Sequence, residues 1–331
     1  MLKIGVIGLG HMGGYHASNC RLIPNIQLVG VADTKKENWE KIKIENIIKT
    51  ENYKDLFNSV DAFIIAVPTD LHYKIAKDCL ENKKHVLVEK PITKNLLQAK
   101  ELFEIAQKNN LALHIGHVER FNGAVQELKK IIQDPYLIEC HRMGPFIQRV
   151  QNDSVIMDLM IHDIDILLNL VNSQVKSFSV IGNRINTNLS DIAAVIITFQ
   201  NGVLAKIVSS RVSQTKQRTM CIHQKNSFIK LDFTTQDISI HKSASDSVKI
   251  GSDQLKYKQE STIERLFVYK DNPLKLEIEN FVNSIKTGKQ LSDAQQDLSA
   301  LSLTLKIEEI LETQLNDCCY SGHWQLTQAS L

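Results

Sequence analysis

The sequence predicts an α/β chain in two parts: an N-terminal parallel sheet covered by helices, then an α+β domain with a large, mostly antiparallel open sheet. Three observations lead there. Short β-branched runs alternate with amphipathic stretches through the first third of the chain, a glycine-rich turn follows the first of those runs, and past Arg120 the alternation gives way to longer β-rich runs joined by hairpin signals.

The candidate strands of the first part are residues 3–8, 27–32, 62–67, 85–89 and 111–116. Helices are expected between them, as at 71–82 and at 96–109, where Leu96, Ala99, Leu102, Phe103 and Ala106 share one face. Beyond Arg120 the pattern predicts one very apolar helix near 155–171. An Asn201-Gly202 turn should join strands 192–199 and 203–212, and a second hairpin should pair 219–223 with 228–233. Two helices are expected to close the chain, at 274–285 and from Ser292, with Ser292 and Gln295 as a capping box. The domains are read as 1–118 and 119–331, with the C-terminal helices at 272–314.

Composition narrows the function. Lys plus Arg number 39 against 37 for Asp plus Glu, a formal charge of +2, which is too balanced for a chain that coats nucleic acid. Apolar residues make up 43% and Gly and Pro are scarce, which excludes disordered and collagen-like classes. The six cysteines form no CxxC pair and read as reduced thiols. Met1-Leu2-Lys3 runs straight into the first strand and no apolar run approaches a membrane span, so a soluble cytoplasmic protein is expected, with neither membrane nor nucleic acid as partner. Cys318, Cys319 and His323 cluster near the C-terminus, but adjacent cysteines suit a tetrahedral ion poorly and no metal site is expected.

The first turn, Gly8-Leu9-Gly10-His11-Met12-Gly13, is a GxGxxG set between strand and helix. Its glycines permit a tight turn and the close approach of a pyrophosphate to the free amides of the helix start. Asp33 ends the second strand, where an acid that binds ribose hydroxyls belongs; its charge favours NAD over NADP, and Lys35 and Lys36 partly offset that preference. The first domain is therefore expected to be a Rossmann domain. Glu89-Lys90-Pro91 ends another strand on the edge where such sheets bind ligands, and a Lys there can hold a reacting hydroxyl. On the apolar helix Asp158, His162, Asp165 and Asn169 form one polar stripe, with Asp163 off it. Asp158 one turn from His162 can orient the imidazole for proton transfer near neutral pH; the alternative is a structural His–Asp pair.

With these motifs in this order, the whole chain resembles the glucose-fructose oxidoreductase, inositol dehydrogenase and MocA family. The resemblance implies a Rossmann domain, a C-terminal sheet that builds a homo-oligomer (dimer or tetramer), and NAD-dependent oxidation of a secondary alcohol on a sugar or cyclitol. It places catalytic roles on Lys90, Asp158 and His162, with Lys90 or His162 as the base. Cofactor contacts fall on Gly8, Gly10, His11, Met12, Gly13, Asp33, Pro68, Thr69, His72, Glu89 and Lys90. Ala66-Val67-Pro68-Thr69-Asp70-Leu71-His72 is similar to the family's cofactor-side loop, with Asp70 where Asn is common. A narrower likeness, through Gly116 to Asn122 and Ser213 to Arg218, is to the branch that oxidises the 3-hydroxyl of UDP-N-acetylglucosamine or a related UDP-sugar ahead of a transaminase, in lipopolysaccharide or lipid A sugar synthesis. That likeness implies substrate contacts at Lys90, Arg120, Asn122, Asp158, His162, Lys216 and Arg218, the cations pairing with a diphosphate. Arg211 stands where that branch tends to carry Trp. The other readings are a free cyclitol or aldose dehydrogenase and a NAD-binding sensor or repressor.

Overall fold

The computed structural model describes residues 1–40, 42–148, 152–243, 261–288, 294–321 and 328–330. The chain divides into two compact units. Met1–Phe121 packs with Asp271–Leu305, and Asn122–Lys270 packs with Lys306–Leu331. The segment Asp271–Leu305 therefore returns to the first unit, whereas the sequence alone assigns it to the second.

In the first unit β1 (Leu2–Ile7), β2 (Ile26–Ala32), β3 (Ile48–Thr50), β4 (Ala62–Ile65), β5 (His85–Glu89) and β6 (Leu113–Gly116) form the expected parallel sheet, in the order 3-2-1-4-5-6. This is the doubly wound order of dinucleotide-binding sheets, with its switch point between β1 and β4. All four residues of β4 are buried, as a strand covered on both faces requires. β3 escapes the sequence reading because it is a three-residue edge strand with two exposed positions.

The helices of this unit are α1 (His11–Cys20), the short α2 (Lys36–Glu40), α3 (His72–Glu81) and α4 (Leu96–Lys108). Asn95 caps α4 by accepting from the amides of Leu97 and Gln98. The returning helix α7 (Pro273–Thr287) is capped by Asn272, whose side-chain amide also donates to Asn19 on α1 at 2.8 Å. Ile278, Phe281 and Val282 of α7 complete the core built by Ile4, Val6 and Ile64, so the returning segment supplies part of the wall of this sheet. Helix α8 (Ala294–Ser321) starts in the first unit; Ser292 of the expected capping box lies outside the described residues.

The second unit holds α5 (Gly123–Ile131), α6 (Ile161–Leu170) and a nine-stranded sheet. Its strands are β7 (Pro135–Met143), β8 (Val175–Asn183), β9 (Ile192–Phe199), β10 (Leu204–Ser210), β11 (Gln217–Gln224), β12 (Ser227–Asp232), β13 (Asp237–Ser243), β14 (Ser261–Leu266) and β15 (Gln328–Ser330). They lie in the order 14-13-12-11-7-10-9-8-15, antiparallel throughout except for the β7–β10 pair. Both expected hairpins are present, and Gly202 takes φ +90°, which its turn requires. Burial alternates along β9 and β10, so one face is packed and the other carries Ile181, Ile196 and Leu204 in the open. Cys20, Cys79, Cys140 and Cys221 are free thiols, as expected, while the side chains of Cys318 and Cys319 and residue His323 lie outside the described set. No described helix is long and apolar enough to cross a membrane.

Candidate active site

The glycine turn is built as its spacing predicts. Gly8 adopts φ +86°, and a Cβ there would fall 2.6 Å from the Ala66 carbonyl oxygen. A Cβ on Gly13 would lie 1.7 Å from the Gly8 oxygen, so the third glycine lets α1 pack on the turn. Gly10 is different: nothing lies within 4 Å of its would-be Cβ, and as the residue before α1 it offers the first amides no side-chain cap. That leaves the helix start open to an anion. His11 is exposed, with its ring edge-on to Tyr15 at 4.6 Å, and Met12 is half-buried.

Asp33 is anchored by the chain itself. Its carboxylate accepts from the amides of Leu9 at 2.7 Å and Lys35 at 2.8 Å, and from the Asn38 side chain at 3.1 Å. It lines a cavity of about 590 Å³ together with Gly8, Gly10, Lys35, Val67 and Pro68. The two lysines after Asp33 part company, since Lys36 pairs with Glu51 at 3.0 Å and only Lys35 borders the cavity beside the acid. An uncapped helix start, a glycine cradle and a fixed acid suit a dinucleotide.

On the same edge of the sheet, Pro68 precedes a one-turn 3-10 helix over Thr69–Leu71, and Asp70 in that turn is exposed and paired with Lys94 at 3.1 Å. His72 is buried, with Nδ1 2.8 Å from the Pro91 carbonyl oxygen and Nε2 2.8 Å from that of Val67. Glu89 ends β5 as a buried carboxylate bonded to His16 Nε2 at 2.7 Å and to the Lys90 amide at 3.3 Å. Burial would raise its pKa, but the His16 bond, followed by the charges of Lys90 and His72, holds it below the usual range. Gly116 makes room for it, because a Cβ there would come within 3.0 Å of Glu89 Oε2. Lys90 follows, half-buried, ahead of the buried Pro91.

Several buried groups around Glu89 escape a sequence reading. His16 looks like an ordinary helix residue, yet it is fully buried. Glu277 on α7 is 1% exposed and neither of its carboxyl oxygens has a hydrogen-bond partner. Burial, reinforced by the charge of Glu89 and opposed by Arg120, pushes its pKa well above the usual carboxyl range. A signal for it exists, since Glu277 occupies the apolar spacing of Leu274, Ile278 and Phe281. His114 packs on Phe281 with ring centroids 5.3 Å apart; burial and then the Arg120 charge lower its pKa to about 4.

Arg120, expected at the substrate diphosphate, is held by a carboxylate of the chain itself. It lies in the short 3-10 turn Val118–Phe121 and donates to Asp297 Oδ1 at 2.6 Å, with little of either side chain exposed, so its charge is already matched by a carboxylate. Asn122 is held by the chain as well. It is 2% exposed and caps α5 through the Ala124 amide, while its side-chain amide donates to the Phe233 carbonyl at 3.0 Å. Both of its functional ends serve the scaffold of the second unit.

In that unit the expected apolar helix is present with a change of pitch. Ile156–Met160 forms a π-helical turn that runs into α6, so Asp158 sits in a wide turn and His162 at the start of regular helix. Such insertions concentrate at functional sites. Ser154 stops the helix from unwinding backwards, its hydroxyl accepting from the Met157 amide and donating to Glu308. Asp158 and His162 are half-buried on the polar stripe, and Asn169 is half-buried with its amide on the Asp165 carbonyl at 2.7 Å. Asp165 itself is buried. Asp163, off the stripe, meets Arg142 of β7 in a two-pronged ion pair at 3.0 and 2.9 Å, with both side chains at most 2% exposed. Sequence spacing carries no trace of that partner.

Arg211 is likewise structural. It donates to Asp191 at 2.6 Å, to Thr187 at 2.9 Å and to the Asp153 carbonyl at 2.6 Å, tying the end of β10 to the segment that leads into Asp158. Burial would raise the Asp191 pKa, but the amides of Ile185, Asn186 and Thr187 and the Arg211 guanidinium bring it down to about 2. Lys216 is exposed just before β11, and Arg218 is half-buried directly opposite Arg142 in the β7–β11 register. Directly paired residues share a sheet face, so Arg218 lies on the side that packs against α6.

Residues 2–117 match the oxidoreductase family with an NAD-binding Rossmann fold known as GFO/IDH/MocA, and residues 119–229 match the C-terminal domain of the same family. The UDP-N-acetylglucosamine 3-dehydrogenase of Acidithiobacillus ferrooxidans is 31% identical over 95% of this chain and 98% of its own. The chain belongs to the GFO/IDH/MocA oxidoreductase family. A solved structure of that Acidithiobacillus enzyme superposes with a TM-score of 0.84 at 29% identity, covering 95% of this chain and 99% of the other. The myo-inositol 2-dehydrogenase of Thermotoga maritima is 26% identical over 63% of this chain and 69% of its own. The GFO/IDH/MocA fold is further shared with scyllo-inositol dehydrogenase from Lactobacillus casei, solved with NAD(H) and scyllo-inositol, at a TM-score of 0.76 and 18% identity over 95% of this chain and 97% of that one.

Proposed function

We propose that this oxidoreductase uses NAD to oxidise the 3-hydroxyl of UDP-N-acetylglucosamine or a related UDP-sugar to the 3-keto sugar. The observation that carries the reading is the end-to-end match to the Acidithiobacillus 3-dehydrogenase, against a match to the Thermotoga inositol dehydrogenase that covers under two thirds of this chain. The open helix start, the fixed Asp33 and the cavity they share support NAD as the cofactor. Asp33 also supports NAD over NADP, because a 2′-phosphate would meet its carboxylate.

When bound, NAD supplies the acceptor for the C3 hydrogen and its electron pair. His162 takes the hydroxyl proton, and Asp158, one turn before it, orients the ring and stabilises its charged form. Lys90 donates to the same oxygen and favours its alkoxide character. In the converse division Lys90 is the base and His162 the donor. One alcohol thus yields one ketone, one reduced cofactor and one proton. Lys216 and Arg218 take the diphosphate. A second copy of the chain covers the open sheet face that carries Ile181, Ile196 and Leu204. A 3-keto UDP-sugar is the substrate a transaminase needs to install a 3-amino group, which fits lipopolysaccharide or lipid A sugar synthesis in the cytoplasm.

The test is a substrate panel on NAD-loaded protein, read by absorbance of reduced nicotinamide and mass spectrometry of the product. UDP-N-acetylglucosamine should give both signals, and Lys90→Met and His162→Ala should each lower kcat by about a hundredfold or more. Turnover of myo-inositol or glucose instead would replace the substrate assignment. Silence with every sugar would favour a sensor.

A further inference from the structure

Both ring nitrogens of His72 lie 2.8 Å from backbone carbonyl oxygens, those of Pro91 and Val67. A carbonyl oxygen only accepts, so each contact needs an N–H on the ring. A neutral imidazole carries one N–H and would set its second nitrogen's lone pair against an oxygen lone pair in a site that is 1% exposed. Only the doubly protonated ring satisfies both contacts.

The residues it joins matter. Val67 and its neighbour Pro68 line the dinucleotide-sized cavity, and Pro91 directly follows Lys90. We infer that His72 is a positioning residue, an imidazolium clamp that holds the cofactor-side loop at Val67–Pro68 against the backbone behind Lys90.

A buried cation needs a counter-charge, and Glu89 supplies it within electrostatic reach. The surrounding titratable groups are accounted for. His16 binds Glu89 from α1. Glu277 on α7 is buried with no hydrogen bond to its oxygens, and burial, followed by the charge of Glu89, disfavours a second carboxylate there. Asp70 is paired with Lys94, and from α4 Glu101 is engaged by Lys77 and Tyr73. The Lys90 charge also acts on Glu89, alongside that of His72.

The inference rests on the dehydrogenase reading only for the identity of the cofactor. Nitrogen-15 NMR of the full chain with labelled histidine, at neutral pH and without ligand, should show both His72 ring nitrogens protonated, identified by contacts of their protons with residues beside Val67 and Pro91. NAD titrations across pH supply the second readout. The wild-type Kd should hold steady at low pH and rise at alkaline pH as the clamp loses a proton. His72→Gln should bind NAD about tenfold more weakly at neutral pH and lose that step. A single-tautomer spectrum with one bare ring nitrogen overturns the inference, as does a His72→Gln profile that keeps the wild-type step. If the variant does not fold, the wild-type spectrum decides alone. Neither readout involves a sugar, so a failed substrate assignment leaves the clamp standing and a failed clamp leaves the substrate assignment standing.

Discussion

Buried charge is handled differently around Arg142 and Arg211 of the second unit and around Glu89 of the first. In the second, Arg142 and Asp163 neutralise each other through two parallel hydrogen bonds, and Arg211 and Asp191 sit in a lattice of amides, hydroxyl and carbonyl. In the first, around Glu89, the carboxyl of Glu277, Nδ1 of His16 and Nε2 of His114 are buried without hydrogen-bond partners. Fully matched ion pairs fix a geometry and are hard to move. Partly matched groups have a proton content that responds to their neighbours. The second unit thus uses charge as scaffolding for the helix that carries Asp158 and His162, and the first keeps adjustable charge beside Lys90.

That contrast can be broken most forcefully at Arg142. Arg142→Met removes the guanidinium that pairs with the buried Asp163 carboxylate, and urea unfolding should show a loss of about 3–5 kcal/mol. Adding Asp163→Leu should restore most of it, because the pair is removed whole. No recovery in the double variant would mean that the pair does more than cancel charge.

A smaller effect of opposite sign is expected at Glu277. Its folded pKa lies above the unfolded value, so between the two the folded state holds more protons and stability falls as pH rises. The slope contributed by this one group reaches about 1.4 kcal/mol per pH unit at most. Glu277→Gln should remove that slope and be more stable than wild type at pH 8, with little difference near pH 5. Parallel stability curves for the two proteins would place Glu277 among the satisfied groups. The smallest effect belongs to Asp70, exposed and paired with Lys94. Asp70→Asn should change the NAD Kd by less than about twofold in a fluorescence titration, the scale of an exposed ion pair.

Legibility in the sequence followed the range of the interactions. The glycine turn, Asp33 and the Asn201-Gly202 hairpin are local devices whose backbone geometry is dictated by the residues that form them, and they stand where their spacing puts them. The family resemblance was legible for the same reason, since Glu89-Lys90-Pro91 and the Asp158–His162 spacing are short strings. What stayed hidden is tertiary. Helix α5 and strand β7 lie in a stretch without a hairpin signal, and the partner of Asp163 is 21 residues away on another element. At Arg120 and Asn122 a sequence shows a charge or an amide and not the groups of the chain that hold it, Asp297 and Phe233. The π turn before α6 follows Ser154, whose hydroxyl reaches Glu308, 154 residues on, and such a partner leaves no periodicity to read.

The return of Asp271–Leu305 to the first unit has a consequence for the order of events on the ribosome. The six-stranded sheet is fully synthesised by Gly116, yet Ile278, Phe281 and Val282 of its core are not. At roughly 5–20 residues per second the nascent chain waits on the order of ten seconds or more with that apolar wall open. The whole second sheet up to β14 emerges meanwhile. A nascent protein of this design is therefore exposed to chaperones longest at its earliest-made third, and fragments that stop near residue 118 should precipitate where the full chain stays in solution.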